Sequence, residues 1–225
     1  MRPAVLFDLD GVLADSRATI TASVAQALVE RGHGAHAAGE VERLIGPPLR
    51  SAFADLLALD PDGEEVTALV DAYRSRYRLA LCDTAGFPGM AEALDELAAA
   101  GFRLGVATSK PLPFAEPVLD VLGIRERFEV VEGPLLDGTE DKAVTLERAL
   151  AALGPGAVAL VGDRRYDVAA AKAHGLLAVG VTWGIGSRQE LTDAGVDVLV
   201  ENPADLVHWL LGTPRPFAGL PPVGG

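Results

Sequence analysis

The chain is poor in the residues on which several common functions depend. Cysteine occurs once, at Cys82, which excludes an intrachain disulfide and any multi-cysteine metal site and fits a reducing compartment. The histidines, His33, His36, His174 and His208, are too dispersed for metal-ligand spacing. No apolar run approaches the roughly 20 residues of a membrane span, and the opening segment meets Asp8 too early for the apolar stretch of a signal peptide. A cytoplasmic protein is expected. There is no internal repeat. Lysine is scarce: of 19 basic residues only Lys110, Lys142 and Lys172 are lysine, the rest being arginine.

What is present is an ordinary globular composition, 49% hydrophobic and 23% charged, over 225 residues. That length holds one large domain, or a core carrying a smaller inserted one. The net charge of -13 repels phosphate-rich polymers and anionic membrane faces. Neither a nucleic-acid polymer nor a membrane is expected as partner. A small molecule is expected instead, met by a monomer or homodimer.

The hydrophobic pattern changes along the chain. Residues 4 to 9, Ala-Val-Leu-Phe-Asp-Leu, read as a buried strand that delivers its last residues to a site. From about Ser16 to Leu81 the period is helical, over Ile20 to Val29, Leu49 to Leu59 and Val66 to Leu81, with Gly and Pro breaks between. From about Gly86 helices and strands alternate. Helices are expected at Met90 to Ala100, Phe114 to Leu122, Lys142 to Leu153, Val168 to His174 and Gln189 to Ala194. The strands between them are Arg103 to Ala107, Phe128 to Val131, Val158 to Val161, Leu177 to Val181 and Asp197 to Val200. Such alternation implies right-handed βαβ units and a parallel sheet covered on both faces. The expected fold is α/β: a Rossmann-like parallel sheet from residues 1–15 and 85–211, an inserted all-α domain over 16–84, and a loose Pro/Gly-rich tail over 212–225.

In an open parallel sheet ligands bind beyond the carboxyl ends of the strands, and four groups of reactive residues follow strands here. In Asp8-Leu9-Asp10-Gly11 alternation turns two carboxylates to one side, and Gly11 lets the backbone bend close to a ligand. One acid can attack phosphorus while the other protonates the leaving oxygen and later activates water. Leu9 and Gly11 are candidates for phosphate contact. Gly162-Asp163-Arg164-Arg165-Tyr166-Asp167 brings two further acids to a turn entering a helix. Two carboxylates about 4 Å apart repel by roughly 4 kcal/mol at an effective dielectric of about 20, so converging acids must protonate or hold a cation. Hard oxygen ligands with room for water and phosphate describe Mg²⁺.

The third group is Thr108-Ser109-Lys110-Pro111, whose hydroxyls and amides open a helix. Capping and phosphate contact are compatible jobs there. The fourth is Lys142, opening a helix after the acidic turn 137–141. Positive charge opposes the helix dipole at that end, so a bound anion explains the lysine better than exposure does. Arg17, Arg43 and Arg50 read either as surface charges or as residues that recognise the substrate beyond its phosphate.

On Asp8-Leu-Asp-Gly-Val-Leu-Ala-Asp-Ser16, Val106-Ala-Thr-Ser-Lys-Pro111, Lys142 and Val161-Gly-Asp-Arg-Arg-Tyr-Asp167, in that order, the sequence resembles the haloacid dehalogenase superfamily. Within it, the resemblance is to the branch with a helical cap inserted after the first strand. The resemblance runs to about residue 211. It implies a Mg²⁺-dependent phosphatase in which Asp8 is the nucleophile and Asp10 the acid/base. Thr108 and Lys142 would hold the transferring phosphoryl group; apart from the resemblance, Ser109, Lys110 and Arg50 are expected from their own positions as further substrate contacts. Asp8, the backbone carbonyl of Asp10 and Asp163 would carry the metal, supported by Asp167. The segments Ile45-Gly-Pro-Pro-Leu49 and Val181-Thr-Trp-Gly-Ile-Gly-Ser187 further resemble members called phosphoglycolate phosphatases and 5'-nucleotidases. The sequence departs from the pattern where Ala143 follows Lys142 in place of proline, and at Arg164, where relatives carry a small residue. A phosphosugar mutase and a catalytically silent binding module are the competing readings. A carbon-attacking dehalogenase is disfavoured, because it has no use for Asp10 or Asp163.

Overall fold

The computed structural model describes residues 2–136 and 140–212. The expected tail therefore lies, apart from Gly212, outside the described residues, as does the 137–139 part of the acidic turn. The chain divides into two compact units, Met1–Asp15 with Gly86–Gly225, and Ser16–Ala85.

The first unit is built on a six-stranded sheet. Its strands are β1 (Ala4–Phe7), β4 (Arg103–Ala107), β5 (Val130–Glu132), β6 (Ala157–Gly162), β7 (Leu177–Val181) and β8 (Val198–Val200), after the two-residue strands β2 (Ala14–Asp15) and β3 (Ala85–Gly86), which form a separate sheet. The order is β5-β4-β1-β6-β7-β8, and every pairing in it is parallel. β1 is central and completely buried, which is why it is an uninterrupted apolar run. On one face Ala4 and Leu6 join Leu146, Ala149, Leu153, Val168 and Ala171 in a continuous core. On β1 the other register holds Phe7, whose ring meets Phe128 edge-on at 6.2 Å. From β1 the sheet grows on one side through β4 and β5, and the chain then crosses back through the helix after β5 to β6 on the other side of β1, so the carboxyl end of β1 is the switch point at which an open α/β sheet leaves a crevice.

The connecting helices are α5 (Met90–Ala99), α6 (Leu112–Val121), α7 (Lys142–Leu153), α8 (Arg165–Ala173) and α9 (Arg188–Asp193). Most boundaries fall within a few residues of the sequence expectation, and those of β4, α7 and β7 coincide with it. Strand β5 begins two residues later than expected, because Arg125–Arg127 forms a 3-10 turn and Phe128 caps it. A terminal helix, α10 (Pro203–Gly212), follows β8. Its start is fixed by Asn202, whose side-chain oxygen accepts from Asp205 N at 2.9 Å.

The second unit is helical: α1 (Arg17–Glu30), α2 (Ala38–Glu42), α3 (Leu49–Leu57) and α4 (Glu64–Ala80). Val24, Ala27 and Leu28 of α1 are buried, as are Val66, Leu69, Val70 and Tyr77 of α4. These residues recur at three- and four-residue intervals, giving each helix one apolar face. Around this core Glu65 accepts from Arg31 at 2.7 Å and pairs with His33 at 3.0 Å, and Arg76 pairs with Glu30. Among the described residues no helix is long and apolar enough to cross a membrane.

Candidate active site

Asp8 is the first residue beyond β1, and its amide still donates to Val161 O at 2.9 Å, extending the ladder with β6. Its side chain is aimed by two donors on one oxygen: Oδ1 accepts from Leu9 N at 2.7 Å and lies 2.7 Å from Lys142 Nζ. The backbone then turns sharply, with the Leu9 carbonyl accepting from Leu13 N and Ala14 N, Gly11 at φ +83° and Gly11 N donating to Ala14 O. Leu9 is buried, and its amide serves Asp8; the amide of Gly11 serves the turn.

Asp163 follows β6 and is wholly buried. Its Oδ2 accepts from Ile185 N at 2.6 Å and Gly186 N at 3.2 Å. Its Oδ1, also buried, has no hydrogen-bond partner among the described residues. Asp167 opens α8: Oδ2 accepts from Arg164 N at 3.0 Å, and Oδ1 is 3.0 Å from Lys142 Nζ. One carboxylate oxygen from each of Asp8, Asp163 and Asp167 lies within 4.8 Å of the others. Lys142 enters this group from the first residue of α7, a helix capped by Asp141, whose Oδ1 accepts from Val144 N. The capping carboxylate partly offsets the unfavourable placing of a lysine at a helix start.

The electrostatics follow from burying three acids with one ammonium. Burial, then the charges of Asp167 and Asp8, push Asp163 up to about 7, against the pull of the Ile185 and Gly186 amides. Asp8 is raised chiefly by burial, with Lys142 opposing. Burial alone would lower Lys142, but Asp167 and Asp8 outweigh it and hold the ammonium above its ordinary value. Carboxylates raised in a polar crevice are what a bound divalent cation reverses, and an oxygen-only donor set suits a hard one.

Thr108, at the end of β4, is buried, and its Oγ1 accepts from Lys110 N at 3.1 Å; Ser109 beside it is half-buried. The Lys110 ammonium is 2.9 Å from Asp10 Oδ2, with the lysine side chain 4% exposed. The sequence placed Lys110 among phosphate contacts, and in the structure it also joins the ends of β4 and β1. Asp10 contributes no side-chain oxygen to the three-acid group. Arg50 belongs to the helical unit, where its guanidinium donates to Pro61 O and Thr67 Oγ1 and ties α3 to α4. Arg164 pairs with Glu190 at 2.9 Å, joining α8 to α9. The segment after β7 supplies two amides to Asp163, a part not expected from the sequence although its Gly-x-Gly following a strand is the pattern of a backbone that approaches a ligand or a side chain closely.

Among solved structures, one described as a predicted phosphatase from Clostridium acetobutylicum superposes with a TM-score of 0.87 at 32% identity, covering 94% of this chain and 99% of its own. The 5'-nucleotidase of Pseudomonas aeruginosa is 36% identical over 84% of this chain and 86% of its own. The tyrosine-protein kinase PtkA of Mycobacterium tuberculosis is 35% identical over 90% of this chain and 69% of its own. The sequence model described as haloacid dehalogenase-like hydrolase matches residues 5–181, from the first strand through β7 and so across every residue of the acid cluster. With that match, the parallel sheet and the acids gathered at the end of its central strand, the chain belongs to the haloacid dehalogenase-like hydrolase family of enzymes.

Proposed function

We propose that the protein is a Mg²⁺-dependent phosphatase that hydrolyses a small phosphate monoester, phosphoglycolate-like or a nucleoside monophosphate, through an aspartyl-phosphate on Asp8. The observation that carries this reading is the buried group of Asp8, Asp163 and Asp167, in which Lys142 pairs with Asp8 and Asp167 while one oxygen of Asp163 is left bare among the described residues. Three carboxylates and one ammonium leave an excess of negative charge in a buried space, and a bare buried oxygen is costly unless a cation takes it. Asp8, Asp163 and the carbonyl of Asp10 would hold the ion, with Asp167 supporting them. When bound, Mg²⁺ offsets the charge of the incoming phosphate and polarises its oxygens.

The chain's own residues then carry the reaction. Lys142 and Leu9 N hold Asp8 by Oδ1, so the carboxylate meets phosphorus in one fixed orientation. An Asp8 oxygen bonds to phosphorus as the ester P–O bond breaks, and Asp10 gives the leaving oxygen its proton. Asp10 next takes a proton from water as that water attacks phosphorus, the Asp8–phosphorus bond breaks, and phosphate leaves with Asp8 restored. Thr108 donates to the phosphoryl oxygens, and Lys110 holds the Asp10 carboxylate in place through the 2.9 Å contact. The domain division belongs to the same proposal: a catalytic core of 1–15 and 85–211, and a helical cap of 16–84. So does a cytoplasmic setting, supported by the single cysteine.

The test is release of phosphate from a generic aryl phosphate with Mg²⁺, followed by a panel of small esters ranked by kcat/KM. Asp8→Asn should abolish release with the circular dichroism spectrum unchanged. A wild-type protein inert across metals and esters would overturn the reading in favour of a binding module. The kinase name of one relative would require a protein hydroxyl in place of water, and phosphate release without any protein acceptor separates the two.

A further inference from the structure

Asp163 owes its position to a segment of chain on the next strand. Its main chain follows β6, but both hydrogen bonds to its side chain come from Ile185 and Gly186, between β7 and α9, and both fall on Oδ2. The bare oxygen is thereby fixed as Oδ1. A carboxylate held by two amides on one oxygen has lost its rotational freedom, so the other oxygen points one way whether or not an ion is present.

The approach is closer than any side chain permits. A Cβ on Gly184 would lie 2.4 Å from Gly11 O and 2.5 Å from Asp163 Cβ and Oδ2, and a Cβ on Gly186 only 1.9 Å from Asp163 O. Neither glycine has a left-handed φ, so space and not backbone conformation excludes a side chain. The segment is itself anchored at both ends. Thr182 N donates to Val200 O at 3.1 Å, and Ser187 caps α9 through Glu190 N. Between these, the Trp183 indole donates to Val12 O at 3.3 Å, and its ring meets Phe87 edge-on. The loops that follow β1 and β7 thus close on Asp163 from two sides.

We infer that Trp183–Gly186 is a positioning element for the divalent cation, which presents Asp163 Oδ1 to the ion by clamping Oδ2. The inference rests on the metal-dependent reading proposed above. None of these four residues touches the reacting atoms; they act through Asp163.

The full-length protein, stripped with EDTA, is titrated calorimetrically with Mg²⁺ alone, and the metal half-saturation of hydrolysis is measured in parallel. Asp163→Asn should weaken binding by about 100-fold or more, and Gly184→Ala by about 10-fold, the range seen when supports of metal ligands are altered. Trp183→Phe keeps the ring, loses the indole hydrogen bond and should weaken binding about 3-fold. For both segment variants kcat at saturating Mg²⁺ should change much less than the half-saturation does, and the metal-free protein should still melt cooperatively, at a lower temperature for Gly184→Ala because the added Cβ must displace its neighbours. If Asp163→Asn titrates like the unsubstituted protein, the metal reading itself fails. If Asp163→Asn loses the ion while the folded segment variants titrate normally, the metal reading survives and the positioning role is overturned. Should Gly184→Ala not fold, Trp183→Phe decides alone.

Discussion

Two carboxylates, Glu65 in the helical unit and Asp163 in the α/β unit, show how the same group serves opposite ends. Glu65 stands on α4 with Arg31 and His33 upon it, and the hydrogen bonds from those two pull it down to about 2. Asp163 is buried among other acids, and burial pushes it up to about 7. Glu65 is a charge whose partners come from the fold, so it clamps α1 and the following turn to α4. Asp163 is a carboxylate the fold has satisfied on one oxygen only, and a bare buried oxygen is a place for a ligand.

The largest expected effect concerns the acid that the unsatisfied group serves. Asp8→Asn should lower kcat by at least about 10⁴-fold, as loss of a nucleophile does elsewhere, measured on an aryl phosphate with Mg²⁺. Lys142→Met comes next. It leaves Asp8 and Asp167 buried without their ammonium and should destabilise the metal-free protein by about 3–5 kcal/mol in urea unfolding at pH 8.

The comparison also predicts opposite pH slopes. Asp163 binds its proton more tightly folded than unfolded, so in EDTA stability should fall as pH rises from about 4 to about 7. The loss is on the order of 4 kcal/mol, and Mg²⁺ should restore it. Asp163→Asn should flatten that slope, and an unchanged slope would remove Asp163 from the account. Glu65, with its lowered value, contributes stability that is present above about 4.5 and lost as pH falls toward about 2. The smallest effect is Glu65→Gln, a half-buried surface clamp whose loss should move the melting temperature by no more than about 2 °C and leave Mg²⁺ affinity unchanged.

Much of this was legible along the chain because it is local. Strands β4 and β7 are short apolar runs between breaks, and α7 begins at Asp141 and ends at Gly154, both ordinary helix boundaries. The five-residue α2 and the terminal α10 went unassigned. The first, Ala-Gly-Glu-Val-Glu, is too short for a period to register, and the second begins at Asn202-Pro203, a cap followed by proline that could have marked it. Asp8, Asp163 and Lys142 were legible as candidates because each closes a strand or opens a helix. What Lys110 touches was not: its ammonium meets Asp10, 100 positions away in sequence, through the pairing of β1 with β4.

The sequence by itself determined the alternation of strand and helix, the residues at the strand ends and the excess of acid among them, since each of these is set by side-chain type and spacing over a few residues. Only the tertiary structure decided which acids share one small volume, which oxygen of Asp163 remains bare, and that two amides more than twenty residues downstream hold the other. Those facts depend on strand order and on the close approach of loops distant in the chain, and burial then turned ordinary carboxylates into raised ones. Periodicity carries no record of either.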